Sequence, residues 1–171
     1  MRGACEVIGE VGVGNTTHRL VAARAGVPLG ATTYYFASLD DLVAAALEHA
    51  SAETLELVRR WMERARDSAD LPGVLTALTG EYLADRPRAM VEYELYVAAA
   101  RSPELRGFAR AWVDGVNDFL SVRVGPRAAS AAVAILDGTM LHALTLDVPL
   151  DREQLRWALA RCLEGAGPGS V

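Results

Sequence analysis

Residues 16–36 read TTHRLVAARAGVPLGATTYYF, and their spacing predicts two short helices around a tight turn. The first starts at Thr16 or Thr17, whose hydroxyls accept from backbone N–H groups two or three residues further on. It is expected to bury Leu20, Val21 and Ala25. Gly26 ends it, because glycine tolerates the left-handed backbone that closes a helix, and Val27 supplies the apolar contact that accompanies such an ending. Pro28 opens the second helix, where its missing N–H would be unpaired in any case. From Pro28 to about Tyr35 this helix carries Leu29, Thr32, Thr33 and Tyr34, and only Phe36, just beyond it, is a bulky core candidate. Its polar side needs a partner outside the core.

This run resembles the N-terminal helix-turn-helix of the tetracycline-repressor-like (TetR) family of bacterial transcriptional regulators. Thr16, Thr17, Ala22, Ala25, Gly26, Val27, Gly30, Tyr34, Phe36, Ser38, Asp40 and Asp41 carry the resemblance. Glu94–Arg106 and Asp137–Leu146 resemble the family's ligand-binding half. There are departures as well. Pro28 and Leu29 stand where members often have Ser-Lys, Leu39 stands in place of a Lys, and Thr33 replaces the first Tyr of a Tyr-Tyr pair, so customary phosphate contacts are missing. The chain also begins within what corresponds to helix 1, without the basic arm. That departure supports an alternative reading, an effector-binding helical dimer with weak or lost DNA binding.

Helical periodicity runs through the chain and no strand run of credible length interrupts it, which predicts an all-α fold. The resemblance divides that fold into a three-helix DNA-binding head over 1–37, a helical effector-binding and dimerisation domain over 38–164, and a flexible Gly-rich tail over 165–171. Ser38 is expected to cap a long helix to about Arg66, with Asp40 and Asp41 placed for its dipole. Further helices are expected over about 70–84, 86–100, 102–122 and 125–146, and a last one is capped by Asp151 and ends near Glu164. Leu105, Phe108, Trp112, Val116 and Phe119 recur at helical steps and predict one buried face.

The apolar stretch Ala128–Leu146 has the length of a membrane span but contains Asp137 and His142. A central carboxylate costs about 2.5–3.5 kcal/mol in a bilayer, so a buried helix is the better reading. Apolar on nearly every side, it needs more cover than a 171-residue protomer supplies. Ala132, Ile135 and Leu136, with Leu155, Leu159 and Leu163 of the last helix, are therefore candidates for an isologous four-helix dimer interface. The resemblance implies the same arrangement.

Net charge is −5, which disfavours a general polyanion binder. Residues 1–36 carry three Arg against two Glu, whereas the remainder carries fourteen Arg against twenty acids, so only the front end suits phosphate. There is no lysine, and every basic contact must come from Arg. Double-stranded operator DNA is the expected partner, met by Thr17, Pro28, Leu29, Gly30, Ala31, Thr32, Thr33 and Tyr34. In that reading Thr32 and Thr33 face base edges, while Tyr34 and Thr17 hold phosphates. Arg19 and Arg24 are either auxiliary phosphate contacts or solvated surface, and His18 reads as a half-exposed helix residue.

Polar and aromatic residues interrupt helices that otherwise look like core. Trp61, Tyr82, Met90, Tyr93, Glu94, Trp112, Asp137, Leu141 and His142 together suggest an apolar pocket with a few polar anchors, suited to a small apolar or aromatic effector. No cofactor is expected. Gly9–Thr16 nearly spells a phosphate-binding loop, but Asn15 occupies the lysine position, so Gly12 and Gly14 read instead as the turn after the first helix. His18, His49 and His142 have no metal-ligand spacing, and no Ser, Cys or Thr has a nucleophile setting, so no enzymatic activity is expected. Cys5 and Cys162, far apart and outside any CxxC, read as reduced thiols of a cytoplasmic protein.

Overall fold

Local signals place the helices well. The computed structural model describes residues 1–146 and 148–163, apart from the side chain of Glu104. The expected end near Glu164 and the tail 165–171 lie outside the described residues. Among those described there are nine α-helices and no strand: α1 (Arg2–Val11), α2 (His18–Ala25), α3 (Leu29–Tyr35), α4 (Leu39–Ala65), α5 (Leu71–Ala84), α6 (Arg86–Arg101), α7 (Arg106–Val124), α8 (Pro126–Thr145) and α9 (Arg152–Leu163). Two 3-10 turns, Val13–Asn15 and Pro103–Leu105, precede α2 and α7.

Caps explain several starts. The Thr17 hydroxyl accepts from Leu20 N–H at 3.2 Å, Asp70 from Gly73 N–H at 3.1 Å, and Asp151 from Gln154 N–H at 2.9 Å. At α4 the cap is reciprocal. Ser38 Oγ accepts from Asp41 N–H at 3.1 Å, while the Asp41 carboxylate accepts from Ser38 N–H at 3.0 Å. Gly26 sits at φ 68°, and the amides of Gly26 and Val27 donate to the carbonyls of Ala23 and Ala22, closing α2.

The chain divides into two compact units, and the packing boundary does not fall at residue 37. The first unit comprises 1–54 and 86–111. It joins the three head helices to the start of α4 and to α6 through one core, with Ala4, Val7, Ile8, Val21, Leu42, Ala46, Leu47, Val91, Leu95 and Ala99 among its buried members. Close approach of α1 to α6 rests on glycine, since a Cβ on Gly9 would lie 2.7 Å from the Pro87 carbonyl oxygen. In α2 the buried residues are Val21 and Ala22, whereas Leu20 and Ala25, expected inside, are exposed.

The second unit comprises 55–85 and the chain from Trp112 onward. In it α5 packs on α8 and α9, and α8 on α9. The Arg123 guanidinium donates to the carbonyls of Ala65 at 2.6 Å and Ser68 at 2.8 Å, a cation at the C-terminal end of α4. On α7 the buried stripe is Ala109, Trp112, Val116 and Leu120, with Leu105 before it; Phe108 and Phe119 are half-buried, so the stripe is rotated from the expected one. One described helix, α8, has the length and composition to cross a membrane. It buries Ala129, Ala132, Val133, Leu136, Met140, Ala143 and Leu144, and leaves Ala131, Ala134 and Leu141 exposed. The protomer thus covers one face of α8.

Candidate nucleic-acid interface and effector residues

The outer surface of the head is built by α3. Of the residues expected to meet DNA, Pro28, Leu29, Gly30, Thr33 and Tyr34 are exposed and Ala31 is half-buried. Thr17 is exposed as well, and because its oxygen serves as acceptor in the cap, its proton remains available to an outside acceptor such as a phosphate. Thr32 is the exception. Only 7 % exposed, it donates to the Leu29 carbonyl at 2.9 Å, so it faces the interior and not base edges. Phe36, one turn later, packs against the same core. Tyr35, missed from sequence, is 76 % exposed beside Tyr34 at 83 %, and the two rings meet edge to face at 5.3 Å. The four-residue step from Thr32 to Phe36 was the available signal: if both face inward, residues 33–35 face out.

Electrostatics at the head are restrained. Arg24 donates to both carboxylate oxygens of Glu10, at 2.8 and 2.6 Å, and reaches Glu6 at 3.4 Å. This clamp holds the Glu10 carboxyl below its usual range, through the hydrogen bond from Arg24 above all. Arg24 is thereby engaged on α1, whereas Arg2 and Arg19 are exposed. The near-match to a phosphate loop is the turn after α1. Gly12 has φ 78°, the Asn15 amide donates to the Val11 carbonyl at 2.9 Å, and the Thr16 hydroxyl donates to the Gly12 carbonyl at 2.8 Å.

The nine expected effector residues fall on both units. In the first, Met90 and Tyr93 are half-buried on α6. Glu94, half-buried, accepts from Val13 N–H at 3.4 Å and lies against Gly12, tying α6 to the turn after α1. In the second unit Trp61 and Tyr82 are buried and meet edge to face at 6.1 Å. Trp112 is also buried, and its indole N–H has no hydrogen-bond partner among the described residues. Asp137 is half-buried, while Leu141 and His142 are exposed. His142 lines an open groove of about 470 Å³ with Gly138, Thr139, Leu146, Pro149 and Gln154.

Four of the six expected interface residues, Ala132, Leu136, Leu155 and Leu159, are buried within the protomer's own second unit and cannot meet a partner; Ile135 and Leu163 are half-buried. The apolar side chains left outside on these helices are Ala131, Ala134 and Leu141 of α8 and Trp157 of α9, the last 63 % exposed. The sequence reading also passed over Glu92. This α6 carboxylate is buried, accepts from the Thr54 hydroxyl at 2.6 Å and lies 3.8 Å from Arg88 Nε, one turn earlier. An Arg-Glu pair at i, i+4 among buried positions was its only mark in the sequence.

Comparison with known proteins places this geometry. Residues 1–46 match the family described as bacterial regulatory proteins, tetR family, and residues 66–165 match the tetracyclin repressor-like C-terminal domain. No curated protein matches the chain. Among solved structures, a TetR-family member from Streptomyces coelicolor A3 is 44 % identical over 95 % of this chain and 94 % of its own, with a TM-score of 0.82. The multidrug binding protein EbrR, in complex with ethidium, is 44 % identical over 95 % of each chain, with a TM-score of 0.79. EbrR has also been solved with imidazole, proflavin and malachite green. A transcriptional regulator from Rhodococcus sp. Rha1 is 25 % identical over 99 % of this chain and 96 % of its own, with a TM-score of 0.79. With the N-terminal family model over 1–46, the C-terminal one over 66–165 and a 44 % identical family member over 95 % of the chain, this protein belongs to the TetR family of DNA-binding transcriptional regulators.

Proposed function

We propose that this regulator is a cytoplasmic homodimeric repressor that leaves a near-palindromic operator when a small, apolar, aromatic effector binds. The observation that carries the reading is the outward-facing Thr33-Tyr34-Tyr35 run of α3, on a chain that shares close to half its residues with a multidrug binding protein. The EbrR complexes support a particular effector class, because ethidium, proflavin and malachite green are aromatic organic cations at neutral pH. Two recognition helices related by a twofold axis enter successive major grooves roughly 34–36 Å apart. Effector binding favours a different separation of the heads, and DNA affinity falls by the difference in effector affinity for the two states. Helix α4, unbroken from Leu39 to Ala65, and the Glu94 tie to the head are the routes for that change.

The test is fluorescence anisotropy of the purified protein with DNA from its own promoter region, at two salt concentrations, against a scrambled duplex. Specific, salt-sensitive binding reversed by malachite green is the expected result. Equal binding to both duplexes, or an operator complex indifferent to the dye, would overturn the reading.

A further inference from the structure

The far end of α4 is tied down by another helix. A helix leaves its last carbonyls without partners, and α4 ends at Ala65. Arg123, half-buried at the end of α7, donates from its two terminal nitrogens to the carbonyls of Ala65 at 2.6 Å and Ser68 at 2.8 Å. A guanidinium is a planar fork, so two such bonds fix direction as well as distance. The turn they hold is also ordered from within: Ser68 N–H donates to the Ala65 carbonyl at 3.3 Å, and Asp70 N–H to Ser68 Oγ at 3.1 Å. Asp70, at the end of the turn, caps α5 and pairs with Arg156 of α9 at 2.6 Å. Two turns back along α4, α7 lies close again, since a Cβ on Gly115 would stand 3.2 Å from Val58 Cγ1.

A helix pinned at one end multiplies a displacement towards the other. At about 1.5 Å per residue, Trp61 stands about 6 Å from Ala65 and Leu42 about 35 Å, so a shift of about 0.5 Å at Trp61 becomes about 3 Å at Leu42. Trp61 is buried against Tyr82 in the second unit, and Leu42 belongs to the core of the head. Were the turn free to follow, the same push would be absorbed at the near end. We infer that the turn over 66–70 is the fulcrum of α4 and that Arg123 is the positioning residue that holds it. This rests on the effector reading above and adds to it the place where ligand binding becomes movement of the head. Arg123→Lys keeps the charge at the helix end and loses the fork, so it separates a pin from simple compensation of the helix dipole.

The experiment measures operator affinity of the full chain by anisotropy, with and without saturating malachite green, and dye affinity without DNA by dye fluorescence. In wild type the dye should weaken operator binding by about tenfold or more. Arg123→Lys should bind the dye and the dye-free operator as wild type does, while the effect of the dye on operator binding drops to about threefold or less. Arg59→Gln, which removes ion pairs that stay within α4, should behave as wild type. A second duplex carries one extra base pair between the half-sites. Wild type should discriminate against it, and Arg123→Lys should tolerate it better, because an unpinned lever lets the heads adjust. An Arg123→Lys protein that keeps the full dye effect or the full spacing discrimination overturns the fulcrum, as does a loss of dye affinity in step with the dye effect. A wild type that the dye does not release from operator sinks the effector reading instead, and the spacing comparison still decides whether Arg123 holds the turn.

Discussion

Two neighbouring threonines on α3 have opposite fates. Thr32 spends its hydroxyl on the Leu29 carbonyl inside the head, whereas Thr33 is exposed and bonds only loosely to the Gly30 carbonyl at 3.3 Å. In the proposed DNA complex, a base edge or thymine methyl would meet Thr33 and not Thr32. Thr33→Ala should lower discrimination between operator and scrambled duplex by about 1 kcal/mol, roughly fivefold, the usual worth of one hydrogen bond. Thr32→Val, close in shape and buried, should keep the discrimination. Competition binding against scrambled DNA checks both, and equal losses in the two variants would return Thr32 to the reading surface. From sequence the two threonines are told apart only by the four-residue step from Thr32 to Phe36, a faint signal in a short helix whose one bulky residue lies beyond its end. Glu92 escaped notice for a related reason, since an acidic residue in an alternating helix reads as solvated until its burial is seen.

At the scale of elements, whatever depends on near neighbours was legible. The caps at Thr17, Ser38, Asp70 and Asp151 and the ending at Gly26 bond within a few residues, so residue type and order suffice to place them. The seam between α1 and α6 was not, because it joins segments about eighty residues apart: Val13 N–H donates to Glu94, and Gly9 faces Pro87. That is why neither contact could be read from the order of the residues. The seam yields a prediction against intrinsic propensity. In an exposed helix interior, Gly to Ala stabilises by up to about 1 kcal/mol. Gly9→Ala should instead destabilise, by about 1–3 kcal/mol, because its methyl meets the Pro87 carbonyl at 2.7 Å and Val91 at 3.2 Å, and backbone cannot step aside as a side chain can. Thermal unfolding gives the sign directly, and a raised Tm would mean that α1 and α6 do not need this close approach.

For the whole molecule the question is how a dimer would be made, and α8 poses it sharply. A helix apolar on nearly all sides announces that it needs cover but not which side the protomer supplies, so sequence could name the helices of the proposed interface without their contact faces. Packing decides the phase. Ala132, Leu136, Leu155 and Leu159 are spent on the protomer's own core, leaving Ala131, Ala134 and Leu141 on α8 and Trp157 on α9 for a second copy. Small residues on the open face of α8 allow two such helices to approach closely, and an exposed Trp is a strong anchor for a central contact. Ala134→Arg adds length and charge at a position the protomer leaves open, so the fold should survive while the interface does not. Light scattering at micromolar concentration should show a dimer for wild type and a monomer for Ala134→Arg, with circular dichroism unchanged. Operator affinity should fall with it by at least tenfold, since a single head loses the linked second binding event. A variant that stays dimeric would move the interface off this face of α8, and a monomer that still binds operator at full strength would remove the need for two heads.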